Sequence, residues 1–331
     1  MISSVYMEIT NLCNLRCRYC YNRCEDIKLV EIPLNEILKV VYYCKNSSTD
    51  ITFSGGEPFL YSEIDNLLKI IEDNDDILFH IVTNGTKVPS QRIKSLKNLR
   101  LHISIDSADE ILNSVTRGSY DYKTVFNLIY ELGKSNTPFY VNMVITKLNI
   151  EGIKDFYEMV IGNNGIPQFN FIQYQSSAID NWSDLGLNNS QKIECLKTIA
   201  ELNKNNSIKS NQLGCFNMCP LIIKGMNIRI AIDFFGEIYP CQLLRSEDLK
   251  LGNIKELSKL DVLHTNILLL QESLQQKITM DYGCNKCYLN NMCYRGCLAE
   301  AYIKNHHYFF SDDNCDIRRW QYLYKLEELA K

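Results

Sequence analysis

The sequence lacks any segment suited to crossing a membrane. Its longest apolar runs, such as Ile228 to Phe235, are of strand length, far short of the ~20 residues that span a bilayer. The opening stretch Met1-Ile2-Ser3-Ser4-Val5-Tyr6-Met7-Glu8 has no basic segment followed by an apolar one, so no export signal is evident. An excess of positive charge is also missing. Lys+Arg number 35 against 39 Asp+Glu, a formal net charge of -4, which gives no global attraction to nucleic acid or anionic lipid. Proline is scarce, at 7 of 331 residues, and glycine is ordinary, at 15; with 46% hydrophobic and 22% charged residues this excludes a disordered or collagen-like chain. These absences predict a cytoplasmic protein with no membrane and no nucleic-acid partner, folded as one or two domains.

Cysteine is the residue in excess, at 14. Cytosolic thiols stay reduced, so cysteines in this number point to metal rather than disulfides. The first half of the chain alternates strand and helix patterns. Strands are expected at 5–10, 50–54, 77–83, 100–106, 139–146 and 168–175, with helices at 33–45, 61–73, 90–96, 122–135 and 152–163. Such alternation implies a parallel sheet with right-handed crossovers, either an open doubly wound sheet or part of a barrel. Chemistry is expected in the loops at the carboxyl ends of the strands. One more helix is expected at 190–204, after a polar loop. The polar run 204–211 then marks a boundary, beyond which lie eight of the cysteines. Residues 227–241 read as a hairpin turning at Phe234-Phe235-Gly236, and 316–331 as a closing helix.

The first expected strand runs into Cys13-Asn14-Leu15-Arg16-Cys17-Arg18-Tyr19-Cys20, a CxxxCxxC cluster. Three soft thiolates this close suit an iron–sulfur cube with one iron left open, or zinc, with Cys24 as the fourth ligand in the zinc case. Ser54-Gly55-Gly56-Glu57-Pro58 follows the second strand; two glycines allow close backbone approach, and Glu57 or backbone carbonyls can accept from an ammonium. Cys24, Cys44 and Cys195 stand apart from the cysteine motifs and read as structural.

In these motifs, in this order and in these loops, residues 5 to about 175 resemble the radical S-adenosylmethionine (SAM) enzymes. The resemblance implies a partial (β/α)6 TIM-like barrel. It implies that Cys13, Cys17 and Cys20 hold the SAM [4Fe-4S] cluster, and that Gly55, Gly56 and Glu57 contact the SAM amino group. Ser104 and Asp106 would contact ribose, Arg117 the SAM carboxylate, and Tyr19 the region near adenine. The later pattern Gly236-x4-Cys241, then Cys284-x2-Cys287-x5-Cys293-x3-Cys297 and Cys315, with Cys215 and Cys219 upstream, resembles the SPASM domain of these enzymes. That resemblance implies a small Cys-rich domain with two auxiliary clusters. Cys215, Cys219, Cys241 and Cys297 would hold auxiliary I, and Cys284, Cys287, Cys293 and Cys315 auxiliary II. Cys215 and Cys219 lie closer together than in relatives; without Cys215, auxiliary I would have an open iron. A pair of zinc sites is the rival reading of the eight thiolates.

The domains expected are therefore 1–206 and 207–331, with three [4Fe-4S] clusters and SAM as cofactors. The implied function is radical abstraction of hydrogen from a peptide or protein substrate, giving a crosslink or an oxidation. The partners implied are that substrate, a reductant such as flavodoxin or ferredoxin, and a separate leader-recognition protein. The last, or direct binding of the leader by this chain, is expected because Cys13 begins too early for a fused domain of ~50 residues to precede it. Sulfatase maturation is disfavoured, because those relatives carry an acid directly after the Cys of the GxxxxC unit, where this chain has Gln242. Asp233 and Asp281 remain as acid–base candidates. The alternatives are a small-molecule radical SAM oxidoreductase or epimerase and, from another class, a zinc-stabilised binding protein.

Overall fold

The computed structural model describes residues 2–22, 28–45, 49–135, 137–206, 219–256, 260–279, 284–293, 296–305 and 314–329. Six parallel strands are β1 (Ile2–Thr10), β2 (Asp50–Gly55), β3 (Phe79–Thr83), β4 (Leu99–Ser104), β5 (Phe139–Ile145) and β6 (Ile166–Phe171). Between them run α1 (Leu34–Cys44), α2 (Ile64–Asp73), α3 (Ser90–Lys94), α4 (Glu110–Arg117), α5 (Tyr122–Lys134) and α6 (Ile153–Gly162). The helices follow the apolar period; in α5, Val125, Leu128, Ile129 and Leu132 form the buried stripe, and Asp121 caps the start by accepting from Thr124 N.

Strand order settles what periodicity left open. It runs β6-β5-β4-β3-β2-β1 without reversal, so the strands wind in one direction, as in an arc of a barrel. A doubly wound sheet would reverse at a switch point. Beyond β1 the same sheet continues: β7 (Ile228–Ile232) lies parallel on its other edge, followed by antiparallel β8 (Glu237–Tyr239) and β9 (Gly252–Asn253). The expected hairpin is thus β7–β8, turning at Gly236 with φ of +83°, and it is part of the sheet that also carries the barrel.

Register divides the strands into two chemistries. On the helix-covered face the row Met7–Phe53–Ile81–Leu101–Phe139 is buried and apolar. The inner face carries Tyr6, Glu8, Ser54, His80, His102, Tyr140, Asn142 and Gln168. A barrel interior this polar is built to receive something rather than to be filled by apolar layers.

Three helical features depart from expectation. The polar loop expected after β6 contains two single turns, α7 (Ser177–Asp180) and α8 (Trp182–Leu185), before α9 (Asn189–Asn206). α4 fills a stretch left unassigned. α10 (Leu260–Thr279), also unforeseen, buries Leu263, Ile267 and Leu274, and its buried Gln271 donates to the carbonyls of Pro220 and Met226. No described helix is long and apolar enough to cross a membrane.

Inside the arc, a nitrogen of His80 lies 2.9 Å from one of His102, whose other nitrogen lies 3.1 Å from Gln168 Oε1. Asp50, Arg100 and Arg229 surround the pair. Burial lowers the pKa of both rings, that of His102 to about 3. The unfolded chain, titrating near 6.5, binds more protons than the folded one below that pH, so stability falls on acidification. From pH 7 to pH 5, His102 alone should remove about 2 kcal/mol. Urea denaturation of the wild type and of His102→Gln at both pH values measures this; equal acid losses in the two proteins would show that His102 is not the origin.

Candidate active site

The loop after β1 is pinned at both ends. Asn11 Nδ2 donates to Lys28 O at 3.0 Å and Asn11 Oδ1 accepts from Val30 N at 2.9 Å, closing the base of the loop. Arg18 N donates to Thr116 O at 2.9 Å, at the end of α4, and Arg18 pairs with Asp184 at 2.7 Å, in α8. Ser177 N donates to Cys20 O at 3.2 Å. The unassigned stretch and the polar loop therefore supply the walls that hold the cysteines.

Cys13, Cys17 and Cys20 are partly buried, are in no disulfide, and sit within electrostatic reach of one another. Burial raises the Cys13 thiol and pushes Cys17 up to about 12. Holding three thiolates here requires a compensating positive charge, which metal supplies. Three soft thiols on one loop suit iron–sulfur or zinc rather than a hard cation.

The glycine motif abuts this loop. Gly56 N donates to Thr10 O and Glu57 N to Leu12 O, each at 2.7 Å. Glu57 is fully buried; Oε1 accepts from Thr83 Oγ1 at 2.6 Å and Oε2 from Asn84 N at 2.7 Å. Burial nonetheless raises it to about 6. Its carboxylate is occupied inside the protein, so a ligand ammonium would meet backbone carbonyls here.

Asp106, also expected to face ribose, is fully buried. Its Oδ2 accepts from Tyr19 OH at 2.5 Å and Thr116 Oγ1 at 2.7 Å, and lies 3.2 Å from Arg117 Nε. Arg117 lies between the rings of Tyr19 and Tyr120, at 5.9 and 5.5 Å, and its Nε makes no hydrogen bond. Cys17 Sγ is 4.0 Å from Arg117 O. Ser104 is half-buried on the inner face, in register with Asn142, whose Oδ1 is buried without a hydrogen bond. Tyr19, Asp106 and Arg117 thus form one unit against the cysteine loop, with Ser104 below it.

Of the later cysteines, Cys219 is buried and Cys241 and Cys297 pack against the main core, whereas Cys284, Cys287, Cys293 and Cys315 are half-buried. Arg319 feels both Cys287 and Cys315, and Tyr322 feels Cys293, so the closing helix α11 (Cys315–Leu329) lies beside that set. Cys215, Cys24 and Asp281 lie outside the described residues. Asp233 caps the β7–β8 turn, with Oδ1 accepting from Phe235 N at 2.9 Å and Glu237 N at 3.0 Å, and burial raises its pKa. Cys44 and Cys195 are buried core residues.

Two residues at this rim were not picked out by motif: the buried Glu8 and the half-buried Arg245, which form an ion pair beside Asn22 and Tyr21. The available signal was a single charge in the apolar strand Val5 to Thr10.

Asp106→Asn leaves the buried Arg117 guanidinium without its counter-ion and should cost about 3 kcal/mol. Asp106→Asn combined with Arg117→Met should regain most of that loss in urea denaturation of the iron-free protein. Equal losses for the single and double variants would show that the pair is not the cause.

Residues 7–160 match the model of the radical SAM superfamily. A probable GTP 3',8-cyclase of Methanocella arvoryzae is 35% identical over 153 residues, 44% of this chain and 48% of that protein, so the match spans about half of the cyclase. A cysteine-type anaerobic sulfatase-maturating enzyme of Clostridium novyi is 22% identical over 339 residues, covering 89% of this chain and 87% of that one. The crystal structure of Streptococcus suis SuiB bound to precursor peptide SuiA superposes with a TM-score of 0.77 at 19% identity, covering 95% of this chain and 76% of SuiB. Residues 7–160 thus carry the match to the radical SAM superfamily, and along nearly its whole length the chain shares the fold of SuiB.

Proposed function

We propose that this chain is a peptide- or protein-modifying radical SAM/SPASM maturase that introduces a crosslink or an oxidation. The observation that carries the reading is the continuity of the sheet: β7 joins the cysteine-rich region directly to β1, which delivers the cysteine loop. Extended similarity to a sulfatase-maturating enzyme and a fold shared with a peptide-bound enzyme support it. Similarity to GTP 3',8-cyclases covers 44% of this chain in one case and 72% in another, so a small molecule is also compatible with the fold's relatives. A small-molecule substrate stands as the second reading on that ground.

SAM and its cluster, when bound, would supply one-electron reductive chemistry and the means to abstract hydrogen from a substrate carbon. Cys13, Cys17 and Cys20 would hold the cluster. Backbone groups of Gly55, Gly56 and Glu57 would meet the SAM amino group, and Ser104 its ribose. Arg117 would face its carboxylate, while Asp106 holds Arg117 and Tyr19 in place. Positioning of this kind is what a protein contributes to cofactor chemistry. Residues 207–331 would form the auxiliary unit, with Cys215, Cys219, Cys241 and Cys297 on one cluster and Cys284, Cys287, Cys293 and Cys315 on the other. Gln242 follows Cys241 and cannot take a proton, which argues against sulfatase maturation and leaves Asp233 and Asp281 as acid–base candidates. A flavodoxin or ferredoxin would supply the electron, and a separate protein would present the leader peptide.

Anaerobic purification should yield about 12 Fe per chain, from three four-iron clusters. 5′-Deoxyadenosine should form from SAM on reduction and disappear in Cys13→Ala. About 8 Fe with cleavage intact would remove one auxiliary cluster. Zinc with SAM left intact would overturn the enzymatic reading, and turnover of free metabolites but of no peptide would favour the second.

A further inference from the structure

Glu8 is the only charged residue of β1, it is 1% exposed, and three motifs meet on it. Its Oε1 accepts from Tyr21 OH and Asn22 Nδ2, each at 3.0 Å; these residues directly follow Cys20. Asn22 Nδ2 also reaches Gly55 O, at 3.2 Å. Arg245 Nη1 donates to Glu8 Oε2 at 2.8 Å and to Asn22 Oδ1 at 3.2 Å, and Nη2 donates to Glu8 Oε1. Arg245 Nε holds Gln242 O at 2.9 Å, on a tight turn in which Leu244 N donates to Cys241 O at 3.1 Å. The guanidinium also lies 5.6 Å from the centre of the Tyr21 ring. Behind Glu8, Tyr6 OH lies 2.9 Å from Tyr21 OH and donates to Ser54 Oγ at 2.6 Å.

Taking the Glu8 carboxylate out of water, and much of the Arg245 side chain with it, costs more than apolar packing would, so the pair is poorly explained by stability alone. Its best-attested use is to fix register between parts that would otherwise slide. Here the parts are the loop that ends in Cys20 and the turn that begins at Cys241. An Arg suits this task, because its planar fork engages both carboxylate oxygens while its third nitrogen holds the turn.

We propose that Arg245 is a positioning residue that clamps the Cys241 turn to the Cys20 loop through Glu8, setting the spacing and electrostatic balance between the SAM cluster and the first auxiliary cluster. The proposal rests on the cluster assignment given above. It carries a signature that simple loosening does not. Arg245 places a positive charge four residues from Cys241, and Glu8 balances it with a negative one. Removing the positive charge disfavours adding an electron nearby, and removing the negative charge favours it.

The test uses the full chain with Arg245→Met, Arg245→Lys and Glu8→Gln, each with its iron content matched to the wild type. Redox titration by electron paramagnetic resonance follows the signal that Cys241→Ala abolishes. The midpoint should move down in Arg245→Met, up in Glu8→Gln, and stay near wild type in Arg245→Lys. Amide hydrogen exchange on the iron-free chains gives a readout independent of the clusters. Arg245→Met should speed exchange in 19–22 and 241–245 together, by about tenfold for each 1.4 kcal/mol of clamp lost. Shifts of the same sign in Arg245→Met and Glu8→Gln, or faster exchange in only one of the two segments, would overturn the proposal. A wild type with no Cys241-dependent signal would remove the auxiliary-cluster reading and the spacing role with it, leaving exchange to report on the clamp alone.

Discussion

The geometry of the site depends on how closely two backbones approach. A Cβ on residue 55 would sit 2.3 Å from Thr10 O, and one on residue 56 would sit 2.1 Å from Leu12 O. Gly55 also adopts a φ of +127°, which L side chains rarely reach. Only glycine lets the end of β2 pass beneath the start of the cysteine loop, where Gly56 N and Glu57 N bond its carbonyls. The consequence spreads outward from there. Glu57, set down at that point, is aimed at Thr83 and Asn84 at the end of β3. Asn84 Nδ2 then returns to Asn14 Oδ1 at 2.9 Å, and Asn14 Nδ2 to Thr86 Oγ1 at the same distance. Three strand ends and the cysteine loop are joined into one rigid rim by bonds that all presuppose the glycines.

That rim also separates two tasks that a motif by itself merges. Glu57 and Asp106 belong to the segments whose resemblance pointed to SAM, yet both carboxylates are fully buried and occupied by protein donors. A side chain placed this way acts on a ligand through what it holds: Glu57 through the loop backbone, Asp106 through Tyr19 and Arg117. Ser104, half-buried on the inner face, has the opposite character and presents its surface to the interior of the arc. Buried charge at a site is more often scaffold than contact, because a charge that must meet a ligand needs access from solvent.

Much of this was legible in the sequence because it was local. Strand–helix alternation at 5–175 and the glycine and cysteine motifs are patterns within a few residues, and each element fell near its expected place. Whether the strands formed a doubly wound sheet or a barrel arc was not legible, because periodicity 2 and 3.6 describe faces rather than neighbours; only the β6-to-β1 order decides it. The attachment of β7 to β1 was hidden for the same reason, since Ile2 and Ile228 are partners more than 200 residues apart. α4 was missed although Asp109 accepts from Leu112 N at 2.7 Å as its cap, because its polar face left few apolar positions to mark the period. α10 was not legible because it is only weakly amphipathic: the run Ile267-Leu268-Leu269-Leu270 covers every side of the helix and marks no single face.

The two ion pairs, the buried Asp106–Arg117 and the partly exposed Glu8–Arg245, anchor the site. Each joins a residue at or near the end of a strand to an arginine outside the sheet. Each arginine then fixes one side of the cysteine loop, the first behind Tyr19 and Cys17, the second beside Tyr21 and Asn22. An apolar pair would pack these positions with less desolvation cost, but it would tolerate sliding, which the hydrogen-bonded fork of Arg245 on Glu8 does not. Three partly exposed thiols on a loop cannot rely on dense packing for their placement. Charged anchors on both flanks replace the rigidity that burial gives to a core.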